Sequence, residues 1–355
     1  MFYLALLSLS FAILANAADR FVYAGTYGPG IYAYRFHPDS GEMEALGLVA
    51  AAESPSFIAI HPNRRFLYAV NETDDGSVTA YAIDDKTGKL TKLNRVSSRG
   101  GGPCHLALDQ TGKMLLVANY GTGSVAAFPV LKNGALGEAK GFIQHAGPAA
   151  PHAHCVTFSP DNRFAVAADL GLDKLFVYRV DPRAATLAAN DPPFAQVKRG
   201  SGPRHFVFSQ ASDRAYAINE KSSTVIGFHY DAQRGALTEF QTISTLPAGF
   251  SGENTTAEIL ADPRGRFLYG SNRGHDSIAV FAVDPATGTL SAVEHVSTMG
   301  KVPRNFAIDP TGSYLLAANQ TSGNIAVFRI HPETGRLSPT GKVIVVDAPV
   351  CIVFR

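Results

Sequence analysis

One unit recurs six times along this chain and begins a seventh time, and that recurrence constrains the fold more than any single residue. In each copy a Pro-centred turn leads into an apolar run. A Gly or Asn turn follows, then a second apolar run ending in Asn plus a variable residue, then a third run. The copy after Gly102-Pro103 reads CHLALDQTGKMLLVANYGTGSVAAFPV, and the one after Val302-Pro303 reads RNFAIDPTGSYLLAANQTSGNIAVFRI. The units open at Pro55, Pro103, Pro151, Pro203, Thr255, Pro303 and Pro349, about 46 to 52 residues apart. Self-similarity at that period, carried by β-type runs, predicts an all-β propeller with four antiparallel strands per blade.

The two ends predict how the ring closes. After Pro349 the chain has only VCIVFR, a single strand. Before Pro55 it has RFVYAGTY, GIYAYRFHP and GLVAAAE, the second, third and fourth strands of a unit that lacks its first. Pairing the C-terminal strand with these three completes a seventh blade and removes the open edges of the ring. Residues 18–355 therefore read as one seven-bladed domain, with no second domain or linker.

Residues 1–17 read as a signal peptide: Phe2 to Leu14 are nearly all apolar, and Ala15-Asn16-Ala17 is a small-x-small cleavage site. The run is too short for a membrane span, so an exported protein, periplasmic or secreted, is expected. Charged residues make up 17% of the 355 and the net charge is +1, which gives no basic face for nucleic acid. Cys104, Cys155 and Cys351 each fall in an opening run, where a small buried thiol fits. A monomer is expected.

Comparing the units with one another separates scaffold from chemistry. An Asn-like column closes the second strand (Gly25, Asn71, Asn119, Asp169, Asn219, Asn272, Asn319), and its constancy suits side-chain bonds that hold a turn. The next residue varies: Thr26, Glu72, Tyr120, Leu170, Glu220, Arg273, Gln320. The residue heading the first strand also varies: Ser56, Cys104, His154, Arg204, Ala257, Arg304, Val350. In a propeller the first strands line the central channel, so both variable columns converge on one mouth. That mouth would gather His154, Arg204, Arg273, Arg304, Glu220, Glu72 and Tyr120. His105, His205 and Glu258 lie one residue out of phase. Charges in such numbers are costly to bury unless paired or bound to something.

Plainer roles exist for several of these residues. Arg204 with Glu220 would serve as a tie between neighbouring strands. His152 suits a turn that rims the pocket, and His105 and His205 suit satisfied histidines between blades. No His and carboxylate cluster has ligand spacing, so no metal or other cofactor is expected. No G-x-S-x-G elbow supports serine catalysis.

The segments PHAHCVTFSPDNRF, SGPRHFVFSQASDRAYAINEKSSTV, AEILADPRGRFLYGSNRGHDSIAVF and VPRNFAIDPTGSYLLAANQTSGNIAVF resemble the seven-bladed propeller lactonase family. That family includes propeller-type 6-phosphogluconolactonases and 3-carboxy-cis,cis-muconate lactonizing enzymes, and the resemblance runs from about Arg20 to Arg355. It implies a catalytic set of His154, Arg204, Glu220 and Arg273. His152, Arg304, Glu72, Tyr120, His105 and Gln320 are the expected substrate-binding residues. His154, with a pKa near neutrality, would activate water as general base. The arginines would stabilise an oxyanion and clamp an anionic group. The first expectation is hydrolysis of a small anionic or sugar-derived lactone. A muconate-type cycloisomerase and a non-enzymatic binding propeller are the alternatives. Export argues against a phosphorylated cytosolic lactone.

Overall fold

The computed structural model describes residues 18–355, and the expected signal peptide lies outside them. It contains seven four-stranded sheets, each in simple meander order. The inner strands are Ile58–Ile60, Pro103–Leu108, Ala153–Phe158, Pro203–Phe208, Thr255–Ala261, Pro303–Ile308 and Pro349–Phe354. Pro349–Phe354 pairs antiparallel with Arg20–Thr26, Val22 opposite Phe354 and Gly25 opposite Cys351, so chain end and chain start share one blade. The expected closure is the observed one.

Each sheet buries both faces, as the uniformly apolar second strands require: Phe66–Asn71, Met114–Asn119 and Tyr314–Asn319 are buried at every position. Seven apolar clusters result, one between each pair of adjacent blades. The blade built from both termini contributes to two of them, through Val22 and Ala24 on one side and Tyr23 and Ile31 on the other. In four blades a buried tyrosine ties the blade to the next by a repeated bond. The hydroxyls of Tyr23, Tyr68 and Tyr269 each donate to the carbonyl of a turn glycine, Gly88, Gly134 and Gly335, at 2.9 Å. A buried phenol without such an acceptor would forfeit a hydrogen bond.

The Asn-like column holds turns. Asn119 donates to the Ser98 carbonyl at 3.1 Å, Asn272 to Thr245 at 2.8 Å, and Asn319 to Thr298 at 2.9 Å. Each bond stitches the end of a second strand to the preceding blade. In the Asp169 blade the carboxylate is met instead by buried His145, at 2.6 Å. All three described cysteines are free and buried.

Candidate active site at the channel mouth

A bulge at the head of the inner strands builds the site. Pairing runs Pro203 with Asn219 and then His205 with Ile218, which leaves Arg204 as the extra, unpaired residue. The same step leaves out Cys104, His154, Arg304 and Val350. Such a bulge breaks the two-residue alternation and re-aims one side chain. Two consecutive residues then turn toward the axis: Cys104, His154 and Arg304 line a cavity at the mouth, while His105, Cys155 and Asn305 line the channel behind it.

Backbone bonds place the second ring of residues over that mouth. The amide of Glu72 donates to Ser54 at 3.0 Å, that of Tyr120 to Gly102 at 2.8 Å, and that of Glu220 to Gly202 at 2.7 Å. The accepting residues sit just before the opening prolines in the left-handed region, at φ 41° for Ser54, 58° for Gly102 and 65° for Gly202. Glycine takes this conformation without steric cost. In one blade the position is Val302, at φ 60°, an expensive choice for a β-branched residue. Its amide is anchored on Asp276 Oδ1 at 2.9 Å, which helps to fix the turn behind Arg304.

The mouth cavity has a volume of about 200 Å³ and is lined by Glu72, Cys104, Tyr120, His154, Glu220, Arg273 and Arg304. Arg204 lies beneath it, only 1% exposed, and donates to the Ala257 carbonyl at 2.8 Å. Glu220 Oε2 is shared, 2.9 Å from Arg204 Nε and 2.8 Å from Arg273 Nη2. Burial alone would raise the Glu220 carboxyl, but Arg204, Arg273 and Arg304 together hold it below the ordinary glutamate value. Burial and the neighbouring Arg204 push Arg273 down to about 10.

Arg304 differs from the other two arginines. It has no carboxylate within salt-bridge reach among the described residues. Its guanidinium lies 5.2 Å over the Tyr27 ring, and the Tyr27 hydroxyl donates to Glu72 Oε2 at 2.9 Å. Three arginines against two glutamates leave the mouth one net positive charge, because His154 is neutral. His154 is 4% exposed, and its Nδ1 has no hydrogen-bond partner. Burial first, then Arg204, drive its pKa well below the usual 6.5, not to the near-neutral value expected from the residue type. Burial pushes the Cys104 thiol far above its usual range, which disfavours the thiolate form.

Other expected residues fall elsewhere. His152 lies behind Tyr120, its ring stacked at 4.5 Å and its Nδ1 3.0 Å from the Tyr120 carbonyl oxygen, so it orients the pocket wall without lining it. His105 is a channel residue and not part of the mouth, because it follows the bulged Cys104 and turns inward one level deeper. Gln320 lines neither cavity. Tyr27 was missed by one position. Thr26, paired with Pro349, takes the Asn-like place, and the Tyr27 amide donates to Ala348 at 3.1 Å as Glu72, Tyr120 and Glu220 do to their partners. The shared turns Tyr27-Gly28-Pro29-Gly30 and Tyr120-Gly121-Thr122-Gly123 carry the signal that would have aligned it.

Among the described residues no group of His, Cys, Asp and Glu is arranged to hold a metal ion, and no helix is long and apolar enough to cross a membrane. Fold and mouth together define a seven-bladed β-propeller with a small, cationic pocket at one end of its channel. The model of the family "Lactonase, 7-bladed beta-propeller" matches residues 21–354, and the chain belongs to that family. It is 37% identical to the 6-phosphogluconolactonase of Bacillus subtilis over 295 residues, covering 80% of this chain and 83% of the relative. With the 6-phosphogluconolactonase of Formosa agariphila it shares 35% over 295 residues, 79% of this chain and 82% of that one. The solved periplasmic gluconolactonase of Pseudomonas aeruginosa superposes with a TM-score of 0.90 at 35% identity, covering 95% of this chain and 99% of that chain.

Proposed function

We propose that the protein is a lactone hydrolase acting in the mouth pocket on a small lactone of about one sugar ring, anionic or sugar-derived. The observation that carries this reading is the combination of net positive charge with a buried, neutral imidazole in one small cavity. The lactonase names of its relatives support it.

The chemistry follows from the side chains. Water adds to the lactone carbonyl carbon, charge grows on the carbonyl oxygen, and the ring C–O bond then breaks to give a hydroxy acid. His154 accepts the water proton and returns it to the leaving alkoxide, a role typically worth about 10² to 10⁴ in rate. Arg273 and Arg304, which face the cavity, stabilise the oxyanion and hold an anionic substituent. Arg204 acts through Glu220, keeping the carboxylate in place as a counter-charge that aims Arg273.

The apolar segment 2–14 and the periplasmic location of the Pseudomonas relative support export. An exported enzyme meets unphosphorylated lactones first. The deciding experiment is a pH-stat assay on glucono-1,5-lactone, 6-phosphogluconolactone and muconolactone. Saturable acid release from at least one, lost in His154→Asn, is expected. Cyclisation of a muconate with no lactone opening would make the protein a cycloisomerase instead, and inertness toward all of them would leave a binding propeller.

A further inference from the structure

A cavity larger than the mouth lies among the described residues. It is the channel behind the mouth, about 590 Å³, and it shares no lining residue with the mouth pocket. Interiors of proteins rarely leave voids much larger than a water molecule, and ligand sites typically enclose about 300 to 1,000 Å³. Small residues keep this one open: Ala59, Ala107, Thr157 and Ala307 occupy inward positions where large side chains would fill the axis.

Its two ends differ. Toward the mouth it is floored by His105, His205, Glu258 and Asn305, all more than nine-tenths buried. Arg204 and His154 lie just above, with the His154 and His205 rings 5.2 Å apart. Toward the opposite face the lining becomes apolar with Ile60, Val207, Leu260, Ile308 and Phe354, all half-buried, and exposed Pro310 stands on the rim. From Asn305 to Ile308, both in the lining, is three strand steps, about 10 Å.

The floor is a built hydrogen-bonding surface. Glu258 Oε1 is 2.7 Å from His205 Nδ1, and its other oxygen accepts from Asn305. The hydrogen bond of the His205 ring runs through Nδ1 to Glu258, which leaves Nε2 for a ligand. Burial holds His105 and His205 in the neutral form and raises Glu258 to about 7, so the floor carries little charge in mildly acidic solution. A ligand carboxylate here would face Glu258 without a cationic partner on the floor. A ligand ammonium would sit under Arg204.

We propose that the channel is a second ligand site, entered from the face opposite the mouth, for an uncharged amphipathic molecule with a short apolar body and one hydroxyl or carbonyl head. The apolar body occupies the outer tube and the head reaches His205 Nε2. This site is independent of the lactone chemistry, because the Arg204 and His154 layer separates the two cavities.

The test is calorimetric titration of the full protein with 1-hexanol, hexanoate and hexylammonium at pH 6.0, where Glu258 is protonated. The His205 side-chain nitrogen shifts are followed in parallel by NMR. Saturable 1:1 binding of hexanol with a shift at His205 Nε2 is expected, and the two charged probes should bind at least about tenfold more weakly. Ala107→Trp, which fills the tube, should weaken hexanol binding by about tenfold or more while lactone turnover stays within twofold of the parent. Leu260→Trp serves the same purpose should Ala107→Trp not fold. The proposal fails if hexanol does not saturate, if hexanoate binds equally well, or if neither folded blocking variant weakens binding.

Discussion

Arg204 Nε lies 2.9 Å from Glu220 Oε2, with the arginine side chain 2% exposed and the carboxylate 22%. A guanidinium so deeply buried depends on that carboxylate, because an unpaired buried charge is costly. Glu220→Gln should therefore cost about 3 kcal/mol in urea unfolding and, by releasing Arg273, lower lactone turnover by about 10²-fold. Adding Arg204→Met should restore much of the stability but none of the turnover, which separates structural pairing from catalysis. A Glu220→Gln protein with parental stability and rate would remove the pair from both roles.

His154→Asn should lower kcat by about 10² to 10⁴ while the fold survives. The pH profile tests the same residue. Since burial and Arg204 hold the imidazole well below 6.5, the base stays unprotonated through mildly acidic solution. The acid limb of kcat/KM is expected below pH 6.5. A limb centred at 6.5 and absent from the variant would mean that His154 titrates as a solvent-exposed histidine does.

Arg304 has no carboxylate partner among the described residues and faces the mouth cavity, so its charge is available to substrate. Arg304→Gln should raise KM for a carboxylated or phosphorylated lactone by about 10- to 100-fold, the loss of one charge-assisted contact. For an uncharged lactone KM should stay within about threefold. Steady-state kinetics on a matched pair of substrates decides this, and an equal loss on both would make Arg304 a structural residue.

The architecture was legible because each blade repeats the same solution, so Pro103 and Pro303 predict each other's surroundings. The mouth was legible for the complementary reason: Glu72, Tyr120, Glu220 and Arg273 vary where the scaffold does not. What the sequence hid was local backbone geometry. An alternating strand would send Cys104 and His105 to opposite faces of the sheet, and only the bulge turns both inward, to different cavities. The bulge at Gly25 and Thr26 likewise displaced Tyr27 from its column. The depressed basicity of His154 depends on burial and on Arg204, fifty residues away in sequence, which composition does not express.

Stability should fall on mild acidification. His105, His154 and His205 all have folded pKa values well below 6.5, so the unfolded chain binds their protons first, and their contribution is lost as pH drops below 6.5. Glu258 acts in the opposite sense. Its folded pKa is raised from 4.5 to about 7, so its contribution is complete below 4.5 and disappears as pH rises toward 7. Between pH 6.5 and 5.5 the three histidines outnumber the one glutamate. The net uptake on unfolding approaches two protons, worth about 1.4 kcal/mol each per pH unit. Urea midpoints at pH 6.5 and 5.5 measure this directly. A flat or rising midpoint on acidification would show that these histidines are charged in the folded ring.

Closure by the last strand is the remaining test. Val350, Cys351 and Ile352 are at least 96% buried, and the strand pairs with Arg20–Thr26 from Val22 to Thr26. Deleting residues 350–355 removes these side chains, each worth about 1.5 to 3 kcal/mol for the larger ones. It also bares the edge of Arg20–Thr26 and opens the channel wall that Cys351 and Val353 supply. Losses of that size compare with the whole stability of a typical domain, about 5 to 15 kcal/mol. The truncated chain should therefore be insoluble or lack a cooperative thermal transition. Adding a synthetic peptide of residues 347–355 during refolding should recover part of the transition by strand pairing. A soluble truncation that melts cooperatively near the parental Tm would mean that the inter-blade clusters hold the ring without its closing strand.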